Sequence, residues 1–338
     1  MIQVSFDRYL LPATILRQSY VILDNQNRPI PTDALQTIYD PVARTVTIAG
    51  PNGPGRPWLT PNQAYKLVLG VPEGDNDLGG FRAIDRATLN PSQTLEFPFM
   101  TTAETKETQL EPTVSFCHDV FPIFFLKCGG PTCHGTGGSS AASLILDTSE
   151  GVRNTAVNRV AQAANTSGRA GAGEPAGRVF GINMPLVEQN NPGNSWLLYK
   201  IELARLPRVD AGTHDPFNFI EAPEAGAPPD VPRLPIDSYV CQLLPGAPVP
   251  PPGANRAYSP LVRFQAEADE IERAILNDHV AGREMPYPSG SVSSYVEAPL
   301  TFQEREIVRL WIAQGASVSE CGGCRPQSPL VDAGASDQ

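Results

Sequence analysis

The sequence predicts a multidomain chain, in which an N-terminal all-β sandwich is followed by a mainly α domain carrying a long Pro-rich insertion. Three observations predict it. Residues 1–101 alternate apolar and polar positions between turn clusters and show no helical period. Two stretches near the C-terminus repeat apolar residues at helical spacing. Between them and the middle of the chain lies a segment whose prolines forbid long helices and central strands. At 338 residues there is enough chain for two sizeable cores.

In residues 1–101 the strand signals are Ile2-Gln3-Val4-Ser5-Phe6, Tyr20-Val21-Ile22-Leu23, Thr45-Val46-Thr47-Ile48 and Ala64-Tyr65-Lys66-Leu67-Val68-Leu69. Turn clusters such as Asp24-Asn25-Gln26-Asn27 and Gly50-Pro51-Asn52-Gly53-Pro54-Gly55 separate them. Thr94-Leu95-Glu96-Phe97-Pro98-Phe99 closes the set. Pro98 restricts that strand to an edge, because it cannot donate to a ladder. Residues 102–114 are polar and without period, and read as a linker.

Next comes the most informative stretch, Phe116-Cys117-His118-Asp119-Val120-Phe121-Pro122-Ile123-Phe124-Phe125-Leu126-Lys127-Cys128-Gly129-Gly130-Pro131-Thr132-Cys133-His134-Gly135. An apolar, helix-capable run leads into two cysteines with four residues between them, Cys-x4-Cys, and a histidine follows the second. Covalent haem attachment needs two thiols to form thioethers on one porphyrin edge and an imidazole beside them to reach the iron. Its usual spacing is Cys-x-x-Cys-His. Two thiols near a histidine also suit zinc.

Further along, Asn194-Ser195-Trp196-Leu197-Leu198-Tyr199-Lys200-Ile201 reads as a turn opening a helix, with Asn194 or Ser195 as cap. Residues 205–258 form the Pro-rich insertion, with Ile236–Cys241 as a docked island inside it. Phe264, Ala268, Ile271 and Ile275 predict a helix over Phe264–Leu276. A second helix starts at Thr301 with Glu304 as a capping box, buries Ile307, Val308, Leu310, Trp311 and Ile312, and stops at Gly315. Residues 317–338 are small and polar and read as a flexible tail.

Asp and Glu total 36 against 25 Lys and Arg, a net charge of −11. Nucleic acid is therefore not an expected partner, whereas a basic redox protein would be steered toward such a surface. No run of about 18 apolar residues is present, so no transmembrane segment is expected. Met1–Phe6 reads as a strand rather than an export signal. Six cysteines fit an oxidising compartment.

Taken together, residues 115–316 resemble a single-haem c-type cytochrome domain of bacterial envelope proteins. The landmarks are Phe121-Pro122-Ile123 ahead of Cys128 and Cys133-His134-Gly135, then Leu144-Ile145-Leu146, then Asn194–Lys200, and finally Met285-Pro286 before Trp311-Ile312-Ala313-Gln314-Gly315-Ala316. Residues 1–101 resemble bacterial Ig-like modules of the SbsA-like kind, and Leu59–Tyr65 resembles their tyrosine corner. The resemblance implies one covalent haem c on Cys128 and Cys133, with His134 as proximal iron ligand and Met285 as distal ligand. It also implies electron transfer without catalysis, and a periplasmic or cell-surface location. The redox partner stays unnamed, and association with a membrane or a multiprotein complex stays open.

Other readings remain. Cys128, Cys133, Cys321 and Cys324 could hold a structural zinc, or Cys128 and Cys133 could form a disulfide in a non-redox surface module. If the haem takes its two cysteines, Cys117, Cys241, Cys321 and Cys324 remain, and the expected pairs are Cys321–Cys324 and Cys117–Cys241. Met184, also before a proline, is the rival distal ligand. His118, His214 and His279 are read as capping or surface residues.

Overall fold

A computed structural model describes residues 1–103, 113–162, 180–204, 239–243, 270–286 and 300–326, apart from short interruptions at 32, 54–55, 75–76, 78, 91, 93–94, 131–132, 138–139, 181–182, 281, 283 and 301. Six strands lie in the N-terminal region: β1 (Ile2–Ser5), β2 (Tyr20–Leu23), β3 (Gln36–Asp40), β4 (Thr45–Ala49), β5 (Ala64–Leu69) and β6 (Glu96–Met100). They form two three-stranded antiparallel sheets, ordered β1-β4-β3 and β2-β5-β6. Alternation places Val46 and Ile48 of one sheet, and Ile22, Leu67 and Leu69 of the other, in a single apolar cluster. The sequence signals missed β3. It pairs with β4 through a tight loop in which the Asp40 carboxylate accepts from the backbone N–H groups of Val42 (2.9 Å) and Ala43 (3.0 Å). Pro98 does sit on an edge strand, opposite Lys66. The Tyr65 hydroxyl accepts from Thr60 N–H at 3.0 Å, the backward tie expected of that segment.

The helical elements follow. In α1, an α-turn (Phe121–Ile123) is flanked by π-turns (Phe116–Val120 and Phe124–Cys128). Helix α2 (Ser149–Thr155) is capped by the Thr148 hydroxyl, which accepts from Gly151 N–H at 2.9 Å. After them come α3 (Trp196–Glu202), α4 (Glu270–His279) and α5 (Phe302–Ala313). Ser195 is the cap residue of α3 by position, yet its hydroxyl does not bond the helix. It accepts from Glu188 N–H and donates to the Asn191 carbonyl. For α4, the first half of the predicted range lies outside the described residues, and the described helix runs on to His279. α5 ends as expected: Gly315 adopts φ +98°, its N–H reaches the Ile312 carbonyl, and Ala316 N–H reaches the Trp311 carbonyl.

Helix α1 packs on α5 through Phe116 and Phe124, whose rings lie 5.6 and 5.7 Å from that of Trp311. Leu144, Leu146, Val152, Leu197 and Leu198 complete that core. The cluster under the β-sheets extends beyond residue 101 to include Met184, Trp196, Tyr199, Leu203, Leu276 and Val280. Polar contacts cross the same boundary. Tyr9 Oη donates to Glu202 Oε2 (3.1 Å), Arg8 meets Glu272 (2.7 Å) and Arg309 meets Asp40 (3.1 Å).

Two expectations fail here. Part of the supposed flexible tail is strand β8 (Cys321–Pro326), antiparallel to β7 (Tyr239–Leu243) of the insertion. A strand whose pairing comes from a distant segment leaves little trace in its own composition. The cysteine pairs are also not those expected. Cys117 is bonded to Cys321, which excludes both Cys321–Cys324 and Cys117–Cys241. The remainder of 205–258, including His214, lies outside the described residues.

Candidate functional site

The cysteine motif folds back on its helix. Gly129 N–H closes α1 onto the Phe124 carbonyl at 2.7 Å, and Cys133 N–H bonds the Gly130 carbonyl at 2.9 Å. His134 N–H then reaches the Cys128 carbonyl at 3.0 Å, so the second cysteine and its histidine return to the end of α1 beside the first. Gly135 is required by this turn, since a Cβ there would come within 2.3 Å of the Gly129 carbonyl oxygen. Asp147 braces the loop: its Oδ2 accepts from the backbone N–H (2.7 Å) and the hydroxyl (2.9 Å) of Thr136.

His134 is buried, and its Nδ1 lies 3.0 Å from the Ala141 carbonyl. A carbonyl only accepts, so Nδ1 carries the proton and the lone pair of the neutral ring resides on Nε2. Burial holds the imidazole below its ordinary value, against the opposing pull of the Ala141 and Leu144 carbonyls. The neutral form is thus favoured. Tying one ring nitrogen to a carbonyl in this way is how proteins fix a ligating histidine.

Cys128 is buried and its thiol is pushed up to about 12, chiefly by desolvation. Lys127 pulls it down, and Glu304 and Cys133 push it further up. Cys133 is half-buried, and neither residue is in a disulfide. Directly beside Cys128, Lys127 Nζ bonds Glu304 Oε2 at 2.9 Å, with side chains only 1% and 2% exposed. Glu304 therefore clamps α1 to α5, where the sequence had suggested a capping box. Thr301, the other half of that box, lies outside the described residues.

Met285 is half-buried and packs on the same apolar cluster that contains Cys128, while its N–H donates to the Lys200 carbonyl at 3.2 Å. Met184 is buried in the other cluster, beneath the β-sheets. Met285 thus shares an apolar cluster with Cys128, whereas Met184 lies in the other; Cys133 and His134 are joined to Cys128 by the fold-back of the loop. His279 donates from Nδ1 to the Ile275 carbonyl (2.8 Å) at the end of α4, and His118 is half-buried in the first turn of α1.

The four-thiolate zinc arrangement loses a member, because Cys321 is committed to Cys117. Among the described residues, no group of three or more His, Cys, Asp or Glu side chains is disposed to hold a metal ion. What remains is two thiols, an imidazole with its lone pair on Nε2, and a thioether. These are the donor types that a covalently attached haem takes, and the fold-back brings the two cysteines and His134, though not Met285, to one end of α1. Sequence reasoning missed Lys127 and Asp147, and read Glu304 as a cap rather than as the partner of Lys127. Lys127 was detectable in principle: it falls on the stripe of Val120, Ile123 and Phe124, where a cation needs an anionic partner.

Comparison with protein-family models, with curated proteins and with solved structures finds no match for this chain.

Proposed function

We propose that the chain is an electron-transfer protein carrying one c-type haem, attached through Cys128 and Cys133 and ligated by His134 and Met285. The observation that carries this reading is the fold-back joining His134 N–H to the Cys128 carbonyl, with Nδ1 of the same ring occupied by Ala141. It assembles both thiols and an oriented, neutral imidazole at the end of one helix. When bound, the haem supplies a one-electron couple. The chain's own residues do the rest. Cys128 and Cys133 anchor, His134 presents Nε2, and Ala141 fixes the tautomer. Met285 offers a soft ligand from a backbone position held by Lys200. Phe116, Phe124 and Trp311 keep water from the core around Cys128. A haem iron held by both His134 and Met285 would have no open ligand position for a substrate, so the role is transfer rather than catalysis.

The Cys117–Cys321 bond supports a periplasmic or cell-surface location, since disulfides persist in oxidising compartments. The net charge of −11 supports a basic redox partner. Among the described residues no helix is long and apolar enough to cross a membrane.

The test is the visible spectrum of the protein purified from a bacterial strain equipped to attach haem. A haem band retained after denaturation and organic extraction is expected, and Cys128→Ser with Cys133→Ser should release it. Protein from that strain carrying no covalently retained haem would overturn the reading.

A further inference from the structure

With Cys117 bonded to Cys321, and with Cys128 and Cys133 outside any disulfide, two of the six cysteines are unassigned: Cys241 and Cys324. They are far apart in sequence, one in the Pro-rich insertion and one near the C-terminus. In the β7–β8 ladder they are direct partners: the antiparallel register pairs Tyr239 with Pro326, Val240 with Arg325 and Cys241 with Cys324. Residues directly opposite in such a ladder share a face. Their Cα atoms lie about 4.5 or 5.5 Å apart, depending on whether the pair is hydrogen-bonded. Both values fall within the separation of about 4.4–6.8 Å that a disulfide spans. The register changes only after Cys241, before the Leu243–Cys321 pair.

We infer that Cys241 and Cys324 form a second disulfide, a cross-strand bond that locks the insertion to the C-terminal strand. Each thiol gives up a proton and an electron and the sulfurs join. The disulfide of a thiol–disulfide oxidoreductase or of an oxidised small thiol accepts both electrons and is reduced to two thiols. The bond closes 83 residues (324 − 241). Together with Cys117–Cys321 it links three distant segments, since β8 carries Cys321 at its first position and Cys324 three residues on. β7 lies beside the first turns of α1. The two bonds therefore hold the insertion and the C-terminal strand against the helix that ends in Cys128. This inference stands whether or not haem is bound.

Peptide mapping without reductant tests it on the full chain, secreted to an oxidising compartment and alkylated before digestion. The expected result is one linked peptide pair containing Cys241 and Cys324 and a second containing Cys117 and Cys321. Alkylation of both Cys241 and Cys324, or linkage of either to another cysteine, overturns the inference. Cys241→Ser supplies an independent arm. It should make Cys324 fully alkylatable while Cys117–Cys321 persists, and a Cys324 still protected in that variant refutes the pairing.

Discussion

Removing Glu304 tests whether the buried ion pair holds the cysteine motif in place. Lys127 Nζ and Glu304 Oε2 lie 2.9 Å apart with almost no exposure. At an effective dielectric of about 20 their attraction is roughly 6 kcal/mol, and desolvating each ion costs several kcal/mol. The pair thus comes close to breaking even, while a single survivor retains its desolvation cost and loses the attraction. Glu304→Ala should destabilise the chain by about 3–5 kcal/mol. For an unfolding slope of about 3 kcal/mol/M, that lowers the urea midpoint by roughly 1 M or more. The double variant Lys127→Met with Glu304→Met removes both charges and should return to within about 1 kcal/mol of the parent. A second readout is the Cys128 thiol, which Glu304 pushes up and Lys127 pulls down. In Glu304→Ala made without haem, its alkylation at alkaline pH should speed up. A single variant costing under about 1 kcal/mol would behave as an exposed pair does and refute the argument. A double variant no better than the single would refute it equally.

Three further outcomes are expected. Met285→Ala in haem-loaded protein should lower the reduction potential and admit carbon monoxide to the ferrous iron, while Met184→Ala should reduce stability only. The reverse pattern would transfer the distal role to Met184. Burial holds the Glu202 carboxyl above its ordinary value, against the pull of Arg305 and Tyr9. Its contribution to stability is complete below the unfolded value of about 4.3 and is lost as pH rises through the folded value. Glu202→Gln should flatten that part of the stability–pH profile, and an unchanged profile would show that Glu202 is not its source. Residues 1–101 expressed alone should keep a cooperative transition but at lower denaturant than in the full chain. The reason is that Tyr9 and Tyr39 lose the cover of Trp196 and Tyr199. Equal midpoints would mean that the shared core contributes nothing.

Legibility in the sequence followed how local each signal was. β2 and β5 begin and end where alternation places them, and the Tyr65 tie spans five residues. The Gly315 stop rests on one residue's freedom at positive φ. His134 was legible because its chemistry is set by the adjacent cysteine. The partners missed lie far along the chain: Glu304 is 177 residues from Lys127, and Cys321 is 204 from Cys117. Composition misled at the C-terminal strand, where Cys321-Gly322-Gly323-Cys324 looks frayed because glycine disfavours strands. A ladder with β7 gives that segment its structure, and only the fold determines which residues face across it. The cysteine pairing fails for the same reason. Four leftover thiols allow three pairings, and proximity in sequence favours Cys321–Cys324. Placing Cys321 against α1 leaves its neighbour Cys324 to face Cys241 instead. One long-range contact thus decides both the disulfide found and the one inferred.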